Sequence, residues 1–287
     1  MQPVERRVAV NGVTLAVFEW GAELRGRADP ILLAHATGFH ARCWDRVVHR
    51  LGARHVIAAD QRGHGRSDKV FPVRWEEFGR DLAALVRTLE LRDVVGVGHS
   101  MGGHAMTEAA AAEPARFRRL VLIDPVIMPP VAYGEPGMAR WSGDVHPAAK
   151  RRNHWDSPEE MFERFKDRPP FDTWERDVLR DYCRYGLLPD PAGGFVLACP
   201  PEFEASVYMT SRDNPGVHAS ARTVDVPVLI VRAMEPQGPG FDLRHSATWP
   251  GLVAQFKRGR EIYAGDHSHL LPMEAPELAA RYILADD

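Results

Sequence analysis

An α/β fold, with a mostly parallel, doubly wound sheet and an inserted helical cap, is predicted by three observations. Short Val/Ile/Leu runs alternate with amphipathic helical stretches as far as Ile123, the pattern of a sheet covered on both faces. One of those runs leads through Gly98-His99-Ser100-Met101-Gly102 directly into a helical pattern. The strand pattern lapses from about Val131 to Thr223 and resumes at Val226. The expected organisation is therefore a core of residues 1–130 and 223–287, interrupted by a helical cap (lid) of residues 131–222.

The elements follow in order. Val8–Val10 and Thr14–Glu19 flank Asn11-Gly12, a two-residue hairpin signal. Ile31–Ala34, Val56–Ala59, Val94–Gly98 and Leu120–Ile123 read as buried strands. Between them, Leu82, Leu85, Val86 and Leu89 recur at helical spacing within Phe78–Leu89. A helix is expected over Gly102–Ala112. The interrupting segment reads as helices with no buried strand. Ser157-Pro158-Glu159-Glu160 is a helix start with a Ser cap, Pro in the first turn and acids at the positive end. Thr173–Tyr185 should stop at Gly186 as a C′ residue, and Glu202–Arg212 should form a third cap helix. Val226–Val231 and a stretch near Glu261-Ile262-Tyr263 restore the sheet, and Pro276–Leu284 closes the chain as a helix.

Composition narrows the function. The 287 residues are 45% hydrophobic and 26% charged, as in an ordinary folded protein rather than a disordered or fibrous one. Lys+Arg total 36 against Asp+Glu 39, a formal net charge of -3. That balance lacks the basic excess a nucleic-acid binder uses on phosphates. Cys43, Cys183 and Cys199 are widely spaced and fit neither a zinc pattern nor a disulfide framework. No N-terminal apolar region follows the early charges, and no stretch reaches the roughly 18 apolar residues of a membrane span. A cytoplasmic protein with a small-molecule substrate, and no nucleic-acid or membrane partner, is expected. Oligomeric state is not encoded in any pattern.

Gly-x-Ser-x-Gly between a buried strand and a helix is the context of a nucleophile on a sharp turn. Such a turn holds its backbone under strain, and only small neighbours let adjacent chain pass. Gly98, Gly102 and Gly103 supply that room beside Ser100. The helix that follows points its N-terminus, and the Met101 amide, at charge developing next to the serine.

At this point the chain resembles the alpha/beta-hydrolase family, over the whole core. His35-Ala36-Thr37-Gly38 looks like the loop that builds half of that family's oxyanion hole, with Ala36 where Gly is usual. Asp60-Gln61-Arg62-Gly63-His64-Gly65-Arg66-Ser67-Asp68 is similar to the family's next strand-to-helix loop, in which His64 and Asp68 are mostly structural. His269-Leu270-Leu271-Pro272-Met273-Glu274-Ala275-Pro276 resembles the C-terminal segment carrying the catalytic histidine. The resemblance implies a Ser-His-acid triad. Its register, five residues before Glu274, favours His269 over His267 as the base. It also implies an oxyanion hole from the Met101 and Thr37 backbone N–H groups, with the Thr37 hydroxyl as an added donor. Phe39 and His35 are candidates for the substrate pocket.

The acid has three candidates. The loop after Val228–Val231 lacks Asp at the family's usual short spacing, leaving Glu235 and Asp242. Some members place the acid after the preceding strand, here Asp124. Asp124 is preferred because a strand end holds an orienting carboxylate rigidly.

Ser at the nucleophile position argues against dehalogenase or epoxide-hydrolase chemistry, whose members use Asp there. The expected activity is hydrolysis of a small or medium acyl substrate (ester, thioester or lactone) through an acyl-enzyme. Alternatives on this fold are carbon–carbon bond hydrolysis, cofactor-free perhydrolysis, or a non-catalytic ligand-binding member. No cofactor or metal is implied: Asp266-His267-Ser268-His269 has ligand-type side chains but no third cluster at metal spacing. Lys150-Arg151-Arg152 reads as a solvated face. Of the aromatics Trp141, Trp155, Phe162, Phe165, Trp174 and Tyr182, most should form the cap core and a minority line the cavity.

Overall fold

The computed structural model describes residues 2–134, 145–236 and 242–285. β1 (Val4–Val10) and β2 (Val13–Trp20) form the expected antiparallel hairpin, turning through Asn11 (φ 43°) and Gly12 (φ 76°). β3 (Ile31–Ala34), α1 (Asp45–Leu51), β4 (Val56–Ala59), α2 (Trp75–Thr88), β5 (Val94–His99), α3 (Met101–Ala112) and β6 (Phe117–Ile123) follow. α2 buries Trp75, Phe78, Leu82, Leu85 and Val86 along one face, as its three- and four-residue spacing demands.

In the cap region lie β7 (His154–Trp155), α4 (Pro158–Phe165), α5 (Arg176–Tyr185), β8 (Leu187–Pro189), β9 (Phe195–Leu197), α6 (Pro201–Met209) and α7 (Val217–Thr223). The chain then completes the sheet with β10 (Val228–Ala233) and β11 (Gly259–Ala264) and ends in α8 (Leu271–Glu274) and α9 (Pro276–Leu284).

Among the described residues, eight strands form one sheet in the order β1-β2-β4-β3-β5-β6-β10-β11. From β4 to β11 the neighbours run parallel, and only the β1–β2 and β2–β4 pairs are antiparallel. α2, α3 and α7 pack on one face and α1 and α9 on the other. Both faces are covered, which explains the unbroken apolar strands. The register pairs Ala34 with Gly98, and His99 with Ile123, so β3, β5 and β6 end at one level. The loops at these carboxyl ends are where an open α/β sheet places its ligand site.

The cap region departs from its sequence reading in two ways. β7, β9 and β8 make a small antiparallel sheet that buries Trp155, Leu187 and Leu197, where only helices were expected. Strands of two or three residues are too short to show a period. α5 does stop at Gly186, here with φ −82°; a Cβ there would lie 2.5 Å from the Tyr182 carbonyl oxygen. Phe203, Val207, Val217 and Ala221 join the core beneath the main sheet. The Ser157 cap forms as expected, its hydroxyl accepting from the Glu160 N–H at 3.1 Å. Trp155 and Phe162 sit in the cap core with Phe165 packed against it, while Trp141 lies outside the described residues.

Candidate active site

Ser100 occupies the bend between β5 and α3 with φ 58° and ψ −121°, a conformation that L side chains rarely adopt. Two glycines permit the bend. A Cβ on Gly98 would stand 2.3 Å from the Gly102 carbonyl oxygen, and one on Gly102 would stand 2.2 Å from that of Ala34. The Ser100 N–H donates to Ile123 O at 3.1 Å and its carbonyl accepts from Val126, so the bend is fixed to the end of β6.

His269 arrives from the loop between β11 and α8. Its Nε2 lies 2.9 Å from Ser100 Oγ, and its Nδ1 lies 2.5 Å from Asp124 Oδ2. With Nδ1–H donated to the carboxylate, Nε2 is left as acceptor for the serine O–H. Asp124 also accepts from the Ala233 N–H, the Ser246 hydroxyl and the Ala247 N–H. Complete burial pushes the Asp124 carboxyl up, but the His269 contact and these donors bring it below its ordinary value. The carboxylate is thus kept charged beside the imidazole.

The structure brings Ser100, His269 and Asp124 together. It does not bring the other acid candidates to the histidine: Glu235 accepts from Arg232 at 2.8 Å, and Asp242 is engaged by Arg244. Residues 237–241 of that loop lie outside the described set. His267 faces Glu274 at 3.8 Å.

His99, next to Ser100, is buried, and its Nε2–H donates to the His269 carbonyl at 2.7 Å. Desolvation, with repulsion from His269, lowers His99 to about 3 and keeps it neutral. Ser100 and His269 are thereby tied through adjacent backbone, a contact that no sequence pattern announces.

The N–H of Met101 is the first of α3 and has no intrahelical acceptor. Across from it, the 35–39 loop is held by His64, whose Nε2 accepts from the Gly38 N–H at 3.0 Å. Burial lowers His64 to about 4, so the ring is neutral and Nδ1–H is given to Arg62 O. Among the described residues no protein acceptor meets the Thr37 N–H. The Thr37 hydroxyl is turned to Met101 Sδ at 3.5 Å.

His35 is not a pocket residue. It lies behind the loop, with Nδ1 at 2.8 Å from Ala36 O and Nε2 accepting from the Gln61 N–H at 2.9 Å. Its side chain braces the two loops because a strand-end position points it into the core. Phe39 does line the cavity, stacked over His99 and edge-on to Trp174 and Tyr182.

Ser100 and His269 open on a cavity of about 770 Å³, walled by Phe39, Trp75, Met128, Trp174, Leu243 and Trp249 among others. Trp75 from α2 and Trp249 before β11 were unmarked in the sequence. Arg151, read there as solvated, is instead turned inward to Glu204 and Tyr182. Among the described residues no group of three or more His, Cys, Asp or Glu side chains is arranged to hold a metal ion, and no helix is long and apolar enough to cross a membrane.

Residues 31–281 match the family model for the alpha/beta hydrolase family. The chain belongs to that family. Among curated relatives of this alpha/beta hydrolase, a 2-(acetamidomethylene)succinate hydrolase from Mesorhizobium japonicum is 35% identical over 123 residues, 42% of each chain. The lipase LipV of Mycobacterium tuberculosis is 38% identical over 97 residues, 34% of this chain and 37% of that one. A type I acyl-CoA thioesterase from Penicillium roqueforti is 34% identical over 145 residues, 44% of this chain and 32% of that one. The matched segments thus span less than half of each relative. The crystal structure of an E-2-(acetamidomethylene)succinate hydrolase superposes with a TM-score of 0.76 at 23% identity, covering 98% of this chain and 97% of that one. A thioesterase domain from a curacin biosynthetic pathway gives 0.72 at 17%, covering 99% and 100%. These likenesses establish the fold.

Proposed function

We propose that this alpha/beta hydrolase is a serine hydrolase cleaving a small or medium acyl substrate, an ester, thioester or lactone. One observation carries the reading: the unbroken relay from Ser100 Oγ through His269 to the buried Asp124 carboxylate. Ser100 Oγ attacks the acyl carbon while its proton passes to His269 Nε2. The carbonyl oxygen becomes an oxyanion, received by the Met101 and Thr37 N–H groups, each worth roughly 3–4 kcal/mol in such a site. The imidazolium, stabilised by Asp124, protonates the leaving alcohol or thiol as the bond to carbon breaks. Water, deprotonated by His269, then attacks the acyl-enzyme and Ser100 leaves with its proton restored.

The cavity volume fits a medium ligand. The names of the lipase and thioesterase relatives point to the same bond classes. Asp124 Oδ2 beside His269 Nδ1 supports an enzyme over a silent, ligand-binding member.

A fluorophosphonate probe tests the nucleophile. The native protein should be labelled within minutes and Ser100→Ala not at all; an unlabelled native protein overturns the reading. A panel of p-nitrophenyl esters against a vinylogous diketone tests the bond: cleavage of the diketone alone would replace ester hydrolysis with carbon–carbon hydrolysis.

A further inference from the structure

The cavity wall carries a charged pair that acyl transfer leaves unused. Arg151, just after the short helical turn Pro147–Lys150, donates from Nη1 to Glu204 Oε2 and from Nη2 to the Tyr182 hydroxyl at 2.8 Å. Arg151, Glu204 and Tyr182 all line the cavity that holds Ser100. A guanidinium has five N–H donors, and these contacts use two. Glu204 Oε1 receives no donor among the described residues. That oxygen lies against Gly38, where an added Cβ would stand 2.7 Å from it. Gly38 adjoins Thr37, so the pair lies beside the proposed oxyanion loop. A separate void of about 10 Å³ between Gly38, Arg151 and Gly186 takes a water at most.

Open donors next to an open acceptor, with the charges already cancelled, match a neutral group that has both a carbonyl and an N–H. A free carboxylate meets Glu204 as well as Arg151 and gains less. We propose that Arg151 and Glu204 form a subsite for an uncharged amide on the acyl part of the substrate, a few bonds from the scissile carbonyl. The amide oxygen accepts from Arg151 and the amide N–H donates to Glu204 Oε1. This inference rests on the serine-hydrolase reading above.

Three near-isosteric p-nitrophenyl esters test it: the heptanoate, the mono-ester of adipic acid, and the mono-ester of adipic acid mono-amide. The native protein should favour the amide ester in kcat/KM. The double variant Arg151→Met/Glu204→Gln removes the pair without stranding one buried charge. It should raise KM for the amide ester about tenfold and leave the heptanoate within twofold. Arg151→Lys, which keeps the charge but loses the planar fork, should lose the same preference and serves if the double variant does not fold. Equal losses on all three esters, preference for the carboxylate ester, or no preference in the native protein each overturn the subsite. Fluorophosphonate labelling of the variants at the native rate separates these results from a failure of the nucleophile itself.

Discussion

Asp124 stands at φ 42°, strained for a residue with a side chain, and its carboxylate lies entirely within protein. The donors around it hold that geometry, and Nδ1 of His269 takes its tautomer from it. Asp124→Asn keeps the shape but offers an amide that no longer demands a proton on Nδ1. Turnover of the best ester should fall about 10³–10⁴-fold, the scale seen when a triad acid is lost, with an unchanged circular dichroism spectrum. Near-native turnover would move the orienting role elsewhere. The Gly-x-Ser-x-Gly turn that carries Ser100 was legible because its spacing is local. The acid was only one of three, because its choice depends on how the 242–248 loop folds over the end of β6, a contact across more than 100 residues. Arg151 was misread for the same reason: a run of three bases looks solvated until a distant glutamate turns one inward.

At the scale of elements, the β5–α3 bend limits what substitutions the chain tolerates. The atom facing Gly102 is the backbone oxygen of Ala34, which cannot rotate away as a side chain can. Gly102→Ala should therefore exceed the usual ~1–3 kcal/mol of overpacking, giving insoluble protein or a greatly lowered urea midpoint; a native midpoint would show that the start of α3 and the end of β3 separate freely. α3 also holds Glu108, bonded to Asn214 at 2.7 Å in the loop before α7. Desolvation raises this carboxyl to about 7 from 4.5; Asn214 and Arg80 oppose the rise, and Glu76 adds to it. A folded value above the unfolded one means that the native state binds the proton more tightly. Stability contributed by Glu108 is full below about 4.5 and declines as pH rises through about 7. Glu108→Gln should thus stabilise the protein more at pH 8 than at pH 5; equal shifts in urea midpoint at both would refute the assignment. α2 was readable from sequence because one buried face sets its period, and the hydrophobic strands because burial on both faces makes them continuous apolar runs. The three strands of the small sheet were not, since two or three residues are too few to show a period.

At the scale of the whole molecule, the cap is seated on the core by polar contacts as well as packing. Arg46 of α1 reaches Asp181 at 2.7 Å and Asp177 at 3.2 Å on α5, and Arg50 reaches Glu175 at 2.8 Å. Trp75 of α2 donates to Val207 O on α6 at 2.9 Å. The lapse in strand pattern after β6 was visible in the sequence, but the partners of these arginines were not, because α1 and α5 meet only after folding. Exposed ion pairs contribute about 0.2–1 kcal/mol each. Asp181 is the exception, because it is buried and would lose its bidentate partner, at a cost of about 1–3 kcal/mol. Arg46→Ala/Arg50→Ala should therefore lower Tm by several degrees, at about 2–4 °C per kcal/mol for a chain of this size. Its effect on function should be uneven. A small fluorophosphonate needs only Ser100 and His269, which are carried by the core, and should label at the native rate. A medium-chain ester also needs the cap walls Trp174 and Tyr182, so its KM should rise several-fold while kcat changes little. If labelling slows in step with ester turnover, the cap contacts position the nucleophile itself, and the division between a core that reacts and a cap that selects is wrong.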